Sequence, residues 1–141
     1  MIRELKVEGT APAASEPKTN GTITLQDFSI TLPDAAKTGK GTFRVVNNGP
    51  QPHETQLLRL LPGKTAADFQ AFVQAAASGQ PPGPPPVVEA GGMTVLPPGA
   101  HAFAFFDLEP GNYIAVCFVP DPTKNGMPHL AEGMVTPFTV S

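Results

Sequence analysis

The residues best suited to chemistry lie near the C-terminal end of the chain, where Cys117, His129 and Met134 follow one another. Cys117 is the single cysteine of the sequence, so it has no partner for an internal disulfide. A thiolate, an imidazole and a thioether are the ligands that soft transition metals prefer, above all copper. All three residues fall on one short strand-loop-strand segment. The segment therefore predicts a metal site that still lacks a second imidazole.

His53 is the natural source of that imidazole. It follows the turn cluster Asn47-Asn48-Gly49-Pro50 and begins a further predicted strand. In a β-sandwich the end of one strand can lie at the same pole as the end of another, so His53 can meet Cys117. Two imidazoles and a thiolate, with a weak axial thioether, hold copper in a geometry acceptable to both oxidation states. We therefore predict His53, Cys117, His129 and Met134 as the ligands.

Each of these residues also has an ordinary explanation. A lone buried cysteine is usually a small hydrophobic residue, and a lone histidine or methionine on a strand more often packs or faces solvent. Their joint occurrence in this order, each beside turn residues, favours the metal site. A cysteine hydrolase that pairs Cys117 with His53 or His129 is conceivable, but a thiol within an apolar strand is poorly placed for a substrate. His101 matches no motif and is predicted to lie on the surface.

Strands must position these residues, because short alternations of apolar and polar residues dominate the sequence. The 18 prolines and 14 glycines indicate many turns. We predict seven to nine strands in an antiparallel β-sandwich, an all-β fold. The predicted strands are residues 22–26, 28–32, 41–47, 54–60, 87–88, 93–96, 101–107, 113–119 and 135–140. Pro137 argues for an edge or bulge position of the last one.

A single helix is predicted within an insert of the sandwich. Thr65 and Asp68 resemble a capping signature, and the apolar residues that follow have helical spacing as far as Ser78-Gly79. These residues are Phe69, Phe72, Val73 and Ala76. The proline-rich residues 80–86 are expected to run as an extended connector. A covering loop is a better interpretation of this connector than a ligand for an SH3-type domain.

Size and charge limit the function classes. A chain of 141 residues and 14.7 kDa fits one domain, which we place at residues 21–141 with the insert at 61–90, after an N-terminal strand and linker at 1–20. The net charge of −3 gives no basic field for nucleic acid. No apolar run approaches the roughly 20 residues that cross a bilayer. The first six residues carry charges where a signal peptide would be apolar, so no signal peptide or transmembrane segment is expected in this chain.

The motifs resemble those of the cupredoxin family, the blue copper proteins that include plastocyanins and azurins. The matching motifs are Asn47 to His53, Tyr113-x-x-x-Cys117, His129-x-x-x-x-Met134 and the closing strand Phe138-Thr139-Val140. The resemblance covers residues 21–141 apart from the insert. It implies a Greek-key β-sandwich, one type 1 copper ion on the four predicted ligands, and electron transfer.

The resemblance has further implications for how the protein meets a partner. It implies that an exposed edge of the His129 ring transfers the electron, and that Met127, Pro128 and Leu130 form an apolar docking patch for a redox partner protein. It also implies an extracytoplasmic location, whether periplasmic, secreted or surface-attached, and a monomer is expected.

Three features depart from the family pattern. One is the insert with its helix and proline-rich connector, which is expected to cover part of the sandwich and to change partner access. The loop between Cys117 and His129 is longer than in simple members, and Asn125-Gly126 predicts a tight turn that returns His129 to the cysteine. Glu54 follows His53, where family members often have an asparagine. A carboxylate there is expected to alter the hydrogen bonds around the metal, or to reach the metal itself.

The same comparison argues against an enzyme. Catalytic relatives carry the histidines of a second copper centre directly beside the copper cysteine, whereas Val116 and Phe118 flank Cys117 here. The alternative to electron transfer is a metal-free cupredoxin-like binding or structural module of a larger exported protein, with the insert as its contact surface.

Overall fold

The computed structural model describes residue 6, residues 8–9 and residues 14–141. The strand predicted near residues 3–7 falls, apart from residue 6, outside the described residues. The described part contains ten strands and one α-helix. They are β1 (Thr22–Gln26), β2 (Ser29–Thr31), β3 (Lys40–Asn47), β4 (His53–Leu60), α1 (Ala66–Ala77), β5 (Val87–Leu96), β6 (His101–Asp107), β7 (Gly111–Val116), β8 (Pro120–Asp121), β9 (Met127–Pro128) and β10 (Val135–Val140). Short 3₁₀ segments cover Asp34–Thr38, Pro122–Lys124 and His129–Glu132.

Eight of these strands form two four-stranded sheets, in the orders β2-β1-β3-β6 and β10-β7-β4-β5. The chain passes repeatedly between the sheets, from β3 to β4, from β5 to β6 and from β6 to β7, as expected of a Greek-key sandwich. The predicted all-β sandwich is therefore confirmed. The prediction of a purely antiparallel arrangement is wrong in one place, because β1 and β3 run parallel. The two-residue strands β8 and β9, which were not predicted, form a separate pair.

The central strands β4 and β7 are buried on both faces. Leu57, Ala115 and Cys117 belong to the core between the sheets. Their neighbours Leu58, Ile114 and Val116 belong to a second cluster beneath the helix, together with Phe69 and Leu130. Because successive residues of a strand point to opposite faces, burial of both faces requires a continuous apolar run. This explains why the sequence from Tyr113 to Cys117 lacks alternation.

The helix matches its prediction. Thr65 is the N-cap, its hydroxyl accepts a hydrogen bond from the backbone N–H of Asp68 at 3.2 Å, and the Asp68 carboxylate accepts one from the N–H of Thr65 at 2.8 Å. This capping box satisfies two N–H groups that a helix start leaves without partners. Phe69 is 2% exposed and fixes the helix on the sheet. No helix in the described part of the chain is long and apolar enough to cross a membrane.

One strand was predicted as two. Residues 87–96 form the single strand β5, which pairs with β4 through two register shifts. The glycine pair at 91–92 hides this continuity in the sequence. A side chain at Gly92 would begin 2.5 Å from the backbone oxygen of Thr55, so the strands approach too closely there for any other residue. Pro137 lies in the edge strand β10, as its sequence position predicted.

Candidate metal centre

Three donor side chains converge between the sheets at one pole of the sandwich. His53, Cys117 and His129 are fully buried, and their donor atoms all lie within 4.8 Å of one another. The Nδ1 atoms of His53 and His129 are 3.0 Å apart, and the Cys117 Sγ lies 3.5 Å from the Nδ1 of His129. Atoms that share an ion at about 2.0–2.1 Å for nitrogen and about 2.3 Å for sulfur are separated by at most about 4.1–4.4 Å. Both measured separations fall within that limit.

The loop between β3 and β4 places His53. Asn47, the last residue of β3, is fully buried, and its side-chain amide donates to the backbone oxygens of Gln51 and Leu96 at 2.8 and 2.9 Å. Its side-chain oxygen accepts from the N–H of Gly49 at 2.9 Å. One asparagine thus satisfies two backbone groups of the loop and one of β5, which fixes the point at which β4 begins with His53.

Backbone hydrogen bonds join Cys117 to the segment that carries His129 and Met134. The N–H of Cys117 donates to the oxygen of Met134 at 3.2 Å, and its own oxygen accepts from the N–H of Leu130 at 2.9 Å. The N–H of His129 donates to the oxygen of Val119 at 2.9 Å. Met134 is fully buried in the same core cluster as Cys117. The strand end and the returning segment are therefore held in fixed register around the thiol.

The long loop does return His129. Asp121 pairs with Met127, and Pro120 with Pro128, in the small β8–β9 ladder. Between these strands Asn125 and Gly126 have φ values of 57° and 77°, the left-handed conformation that the predicted tight turn requires. The chain therefore reverses within a compact hairpin and delivers His129 to the thiol.

Two backbone N–H groups face the sulfur. The N–H of Glu54 donates to the Cys117 Sγ at 3.5 Å, and that of Val119 also bonds to it. Burial raises the pKa of the Cys117 thiol, the two N–H groups act against this rise, and the Glu54 carboxylate adds to it. A buried thiol raised in this way stays protonated near neutral pH. A bound cation would favour its thiolate form.

The Glu54 carboxylate forms two hydrogen bonds beside the donor cluster. Its two carboxylate oxygens accept from the backbone N–H of Phe118 and from the side-chain amide of Gln56, each at 3.1 Å. The carboxylate therefore links β4 to the segment after Cys117, and both of its oxygens are engaged outside the donor cluster. It is not among the residues whose donor atoms converge with those of His53.

The prediction that one edge of the His129 ring is exposed is wrong, because the residue is fully buried. The ring of Phe28 meets the imidazole edge to face at a centroid distance of 5.2 Å. The side-chain oxygen of Gln51 lies 3.3 Å from the outer ring nitrogen, Nε2. Burial, and then the neighbouring His53, lower the pKa of His129. The imidazole is thus enclosed by two side chains that no ligand motif identifies.

The predicted docking patch is only partly exposed. Met127 is 47% exposed and Pro128 is half-buried. Leu130 is only 8% exposed and packs beneath the helix with Phe69, so its assignment to the patch is wrong. The insert helix covers the face of the sheet toward which Leu130 points, and this explains the difference.

Sequence reasoning also missed a carboxylate at the site. Asp27, in the two-residue turn between β1 and β2, places Oδ1 at 2.5 Å from the Nε2 of His53. The next residue, Phe28, is the one that covers His129. The only signal in the sequence is a polar-aromatic pair between two alternating strands, which has no distinctive spacing.

No family model matches this chain, and no curated protein matches it. Among solved structures, dithionite-reduced auracyanin from the photosynthetic bacterium Roseiflexus castenholzii aligns with a TM-score of 0.50 and 22% identity, over 86% of this chain and 95% of that one. Auracyanins are cupredoxins. The chain has the cupredoxin fold. Auracyanin B is also similar, with a TM-score of 0.45 and 17% identity over 90% of this chain and 93% of that one.

Proposed function

We propose that this protein binds one copper ion in a type 1 site and transfers single electrons. The observation that carries the proposal is the convergence of two imidazole nitrogens and a thiol sulfur, all fully buried, within 4.8 Å of one another. This donor set is typical of blue copper sites in electron-transfer proteins. When bound, copper supplies a one-electron couple that the protein's own side chains lack.

The outer ring nitrogens of both histidines support a cation between them. The Nε2 of His53 faces the Asp27 carboxylate, so it carries a proton. The Nε2 of His129 faces the Gln51 oxygen, because the Gln51 amide nitrogen donates to Asp121 at 3.3 Å. Two neutral imidazoles that donate from Nε2 both present a lone pair at Nδ1. The two Nδ1 atoms are 3.0 Å apart, so their lone pairs repel each other. A cation bound by both nitrogens would remove this repulsion.

The roles of the chain's own residues follow from this arrangement. His53, Cys117 and His129 would hold the ion, and the thioether of Met134, buried in the same core cluster as Cys117, would supply a weak further donor. The N–H groups of Glu54 and Val119 stabilise the thiolate. Burial would exclude water from the ion, and the hydrogen-bonded backbone would hold the donors in place in either oxidation state. A site that barely rearranges is suited to fast electron transfer.

The metal-free module is the second candidate. The 3.0 Å contact between the two Nδ1 atoms is also a hydrogen-bond distance, so the cluster can satisfy itself if one imidazole holds a proton there. That arrangement needs an imidazolium or an exchange of partners at Asp27 or Gln51. The surroundings of both rings therefore favour the metal site.

We further propose a redox partner protein, a monomeric state and an extracytoplasmic location. Two side chains near the site are large, apolar and exposed: Phe118, which follows Cys117 and is 41% exposed, and Met127, which is 47% exposed. Such side chains suit brief docking of a partner protein. Because His129 is enclosed, the electron must pass through at least one covering side chain.

The experiment is a titration of the purified apoprotein with Cu(II), followed by metal analysis and visible spectroscopy. We expect one copper per chain and an intense thiolate-to-copper charge-transfer band. Cys117→Ser should abolish this band. His129→Ala should abolish or strongly alter it, whereas the matched control His101→Ala, at an exposed residue of the same type, should leave it unchanged.

A folded wild-type protein that takes up no copper under oxidising conditions would contradict the proposal and favour the metal-free module. Copper bound without the visible band would indicate a site that does not use Cys117.

A further inference from the structure

The carboxylate of Asp27 is placed to act on the candidate copper centre through His53. Its Oδ1 lies 2.5 Å from the Nε2 of His53, on the side of the ring opposite the donor cluster. The His53 side chain is 0% exposed, whereas the Asp27 side chain is 22% exposed. Among the described residues, His53 is the one basic side chain that the Asp27 carboxylate contacts. The negative charge is therefore directed at the imidazole rather than at a lysine or arginine.

Gly49 provides the space for this contact. A Cβ atom at Gly49 would lie 2.7 Å from the Oδ1 of Asp27 and 2.8 Å from the Nε2 of His53. No other residue type fits there without separating the two groups. The φ angle of Gly49 is not in the left-handed region, so the glycine serves close approach and not an unusual backbone conformation.

The contact determines which nitrogen of His53 faces the cluster. A carboxylate accepts hydrogen bonds, so it keeps the ring proton on Nε2 and leaves the Nδ1 lone pair directed at Cys117 and His129. A carboxylate behind a metal-bound imidazole also makes that imidazole a stronger donor. A stronger donor with a nearby negative charge favours the more positive ion, Cu(II) over Cu(I).

We propose that Asp27 is a positioning residue that fixes the ring of His53 through Nε2 and lowers the reduction potential of the copper centre. The redox part of this inference rests on the proposed function. The positioning part concerns the apoprotein as well. Asp27 contacts the outer nitrogen of His53 and is not among the converging donors, so its effect on a bound ion would act through His53.

Two substitutions separate geometry from charge. Asp27→Asn keeps an oxygen that can accept from Nε2 and removes the charge. Asp27→Ala removes both. Asp107→Asn is the matched control, because Asp107 pairs with Lys40 at the opposite end of β3 in an exposed ion pair.

In the copper-loaded full chain, Asp27→Asn should reduce the preference for Cu(II) over Cu(I) about tenfold. For a one-electron couple this is a rise in reduction potential of roughly 59 mV. Asp27→Ala should also weaken Cu(II) binding about tenfold or more, since partners of metal-bound histidines typically have effects of that size. Asp107→Asn should change neither quantity.

In the apoprotein, ¹⁵N NMR of the imidazole rings at pH of about 8 reports the tautomer directly. We expect His53 to carry its proton on Nε2 in the wild type and in Asp107→Asn, and to lose this strict preference in Asp27→Ala. Gly49→Ala retains the Asp27 residue but places a methyl group where its carboxylate meets His53. This variant should also lose the strict Nε2 preference.

The outcomes distinguish the two proposals. A wild-type protein without the visible copper band overturns the proposed function and the redox part with it. A blue wild-type protein whose potential moves no more in Asp27→Asn than in Asp107→Asn overturns the redox part alone. A His53 tautomer that Asp27→Ala leaves unchanged overturns the positioning part.

Discussion

Each donor side chain of the candidate copper centre is oriented by a hydrogen bond on its outer side. Asp27 holds His53, Gln51 holds His129, and the N–H groups of Glu54 and Val119 face the Cys117 sulfur. Such partners decide which atom of each ligand faces the metal. The donors and their hydrogen-bond partners lie on four different segments of the chain. A substitution of Asp27 or Gln51 should therefore change the properties of the copper site without removing a ligand.

Met134 is predicted to tune the reduction potential. Met134→Leu conserves volume in a fully buried position, so its cost in stability should stay below about 1.5 kcal/mol. The blue band should persist, because the thiolate and imidazoles remain. The potential should rise, because the weak axial donor is lost. Voltammetry and visible spectroscopy check this, with Met93→Leu as the control. A potential equal to that of the wild type would show that Met134 is not an axial ligand.

Asp121 is predicted to contribute a pH-dependent part of the stability. Hydrogen bonds from the Thr123 hydroxyl, and then from the Thr123 N–H and Gln51, lower the pKa of Asp121 from 3.8 to about 2. The unfolded chain therefore takes up this proton first as the pH falls. The free energy of unfolding contributed by Asp121 is present above about pH 4 and is lost between about pH 4 and pH 2.

Asp121→Asn removes the titrating group. The free energy of unfolding of this variant should therefore fall less steeply between about pH 4 and pH 2 than that of the wild type. Urea denaturation of both proteins at pH 5, 4 and 3 measures the difference in slope. Parallel pH profiles would contradict the assignment.

For individual residues, the sequence predicts the candidate donors better than it predicts the residues that contact them. Cys117, His129, Met134 and His53 are visible because their residue types and neighbouring turns are distinctive. Asp27 and Gln51 are not visible, because their roles depend on contacts between segments distant in sequence. The burial of His129 was missed for the same reason, since Phe28 reaches it from another sheet.

Among the elements, the β1–β2 turn contacts the site directly, and the helix α1 packs on strands that lead to it. The turn places Asp27 and Phe28 on the two imidazoles, one on each ring. The helix covers the outer face of β4 and β7, the strands that carry His53 and lead into Cys117.

Phe69 is predicted to carry much of the attachment of the helix. It is 2% exposed, and Phe69→Ala should lower the free energy of unfolding by about 3–5 kcal/mol. The control is Phe105→Ala, at a position that is 63% exposed, where the change should stay within about 0.5 kcal/mol. Denaturant unfolding measures both. Equal effects of the two substitutions would contradict the proposed packing of the helix.

Local signals predict most elements correctly. Thr65 and Asp68 define the helix start, and alternation defines β1, β3, β6 and β10 within a residue or two. The failures have physical causes. The glycines at 91–92 interrupt the pattern of β5 without ending the strand. The parallel pairing of β1 with β3 depends on which strands meet, and alternation within one strand carries no information about that.

At the scale of the whole molecule, copper binding is predicted to stabilise the fold. The predicted ligands lie far apart in the sequence, and only the folded chain brings His53 to Cys117. Free copper at about 100 times its dissociation constant should add about 2.7 kcal/mol, or roughly 5–10 °C in Tm. Differential scanning calorimetry with and without copper measures this. The stabilisation should be much smaller in His129→Ala, and an equal shift in that variant would indicate copper bound elsewhere.

The sandwich itself follows from the many short strands, and the structural likeness to auracyanin agrees with it at 22% identity. A structural likeness at this identity shows the fold alone, so the function must be inferred from the residues of the site. The positions of the predicted ligands at strand ends indicate that they meet at one pole of the sandwich. It does not predict how fully that pole is closed, because closure depends on the packing of Phe28 and Gln51 against His129.

The most direct test of the central claim is X-ray absorption spectroscopy at the copper edge of the loaded protein. We expect a first coordination shell of two nitrogens at about 2.0–2.1 Å and one sulfur near 2.3 Å, taking the distances of zinc sites as a guide. The sulfur contribution should vanish in Cys117→Ser. A shell of nitrogen and oxygen alone in the wild-type protein would contradict the claim that His53, Cys117 and His129 hold a copper ion.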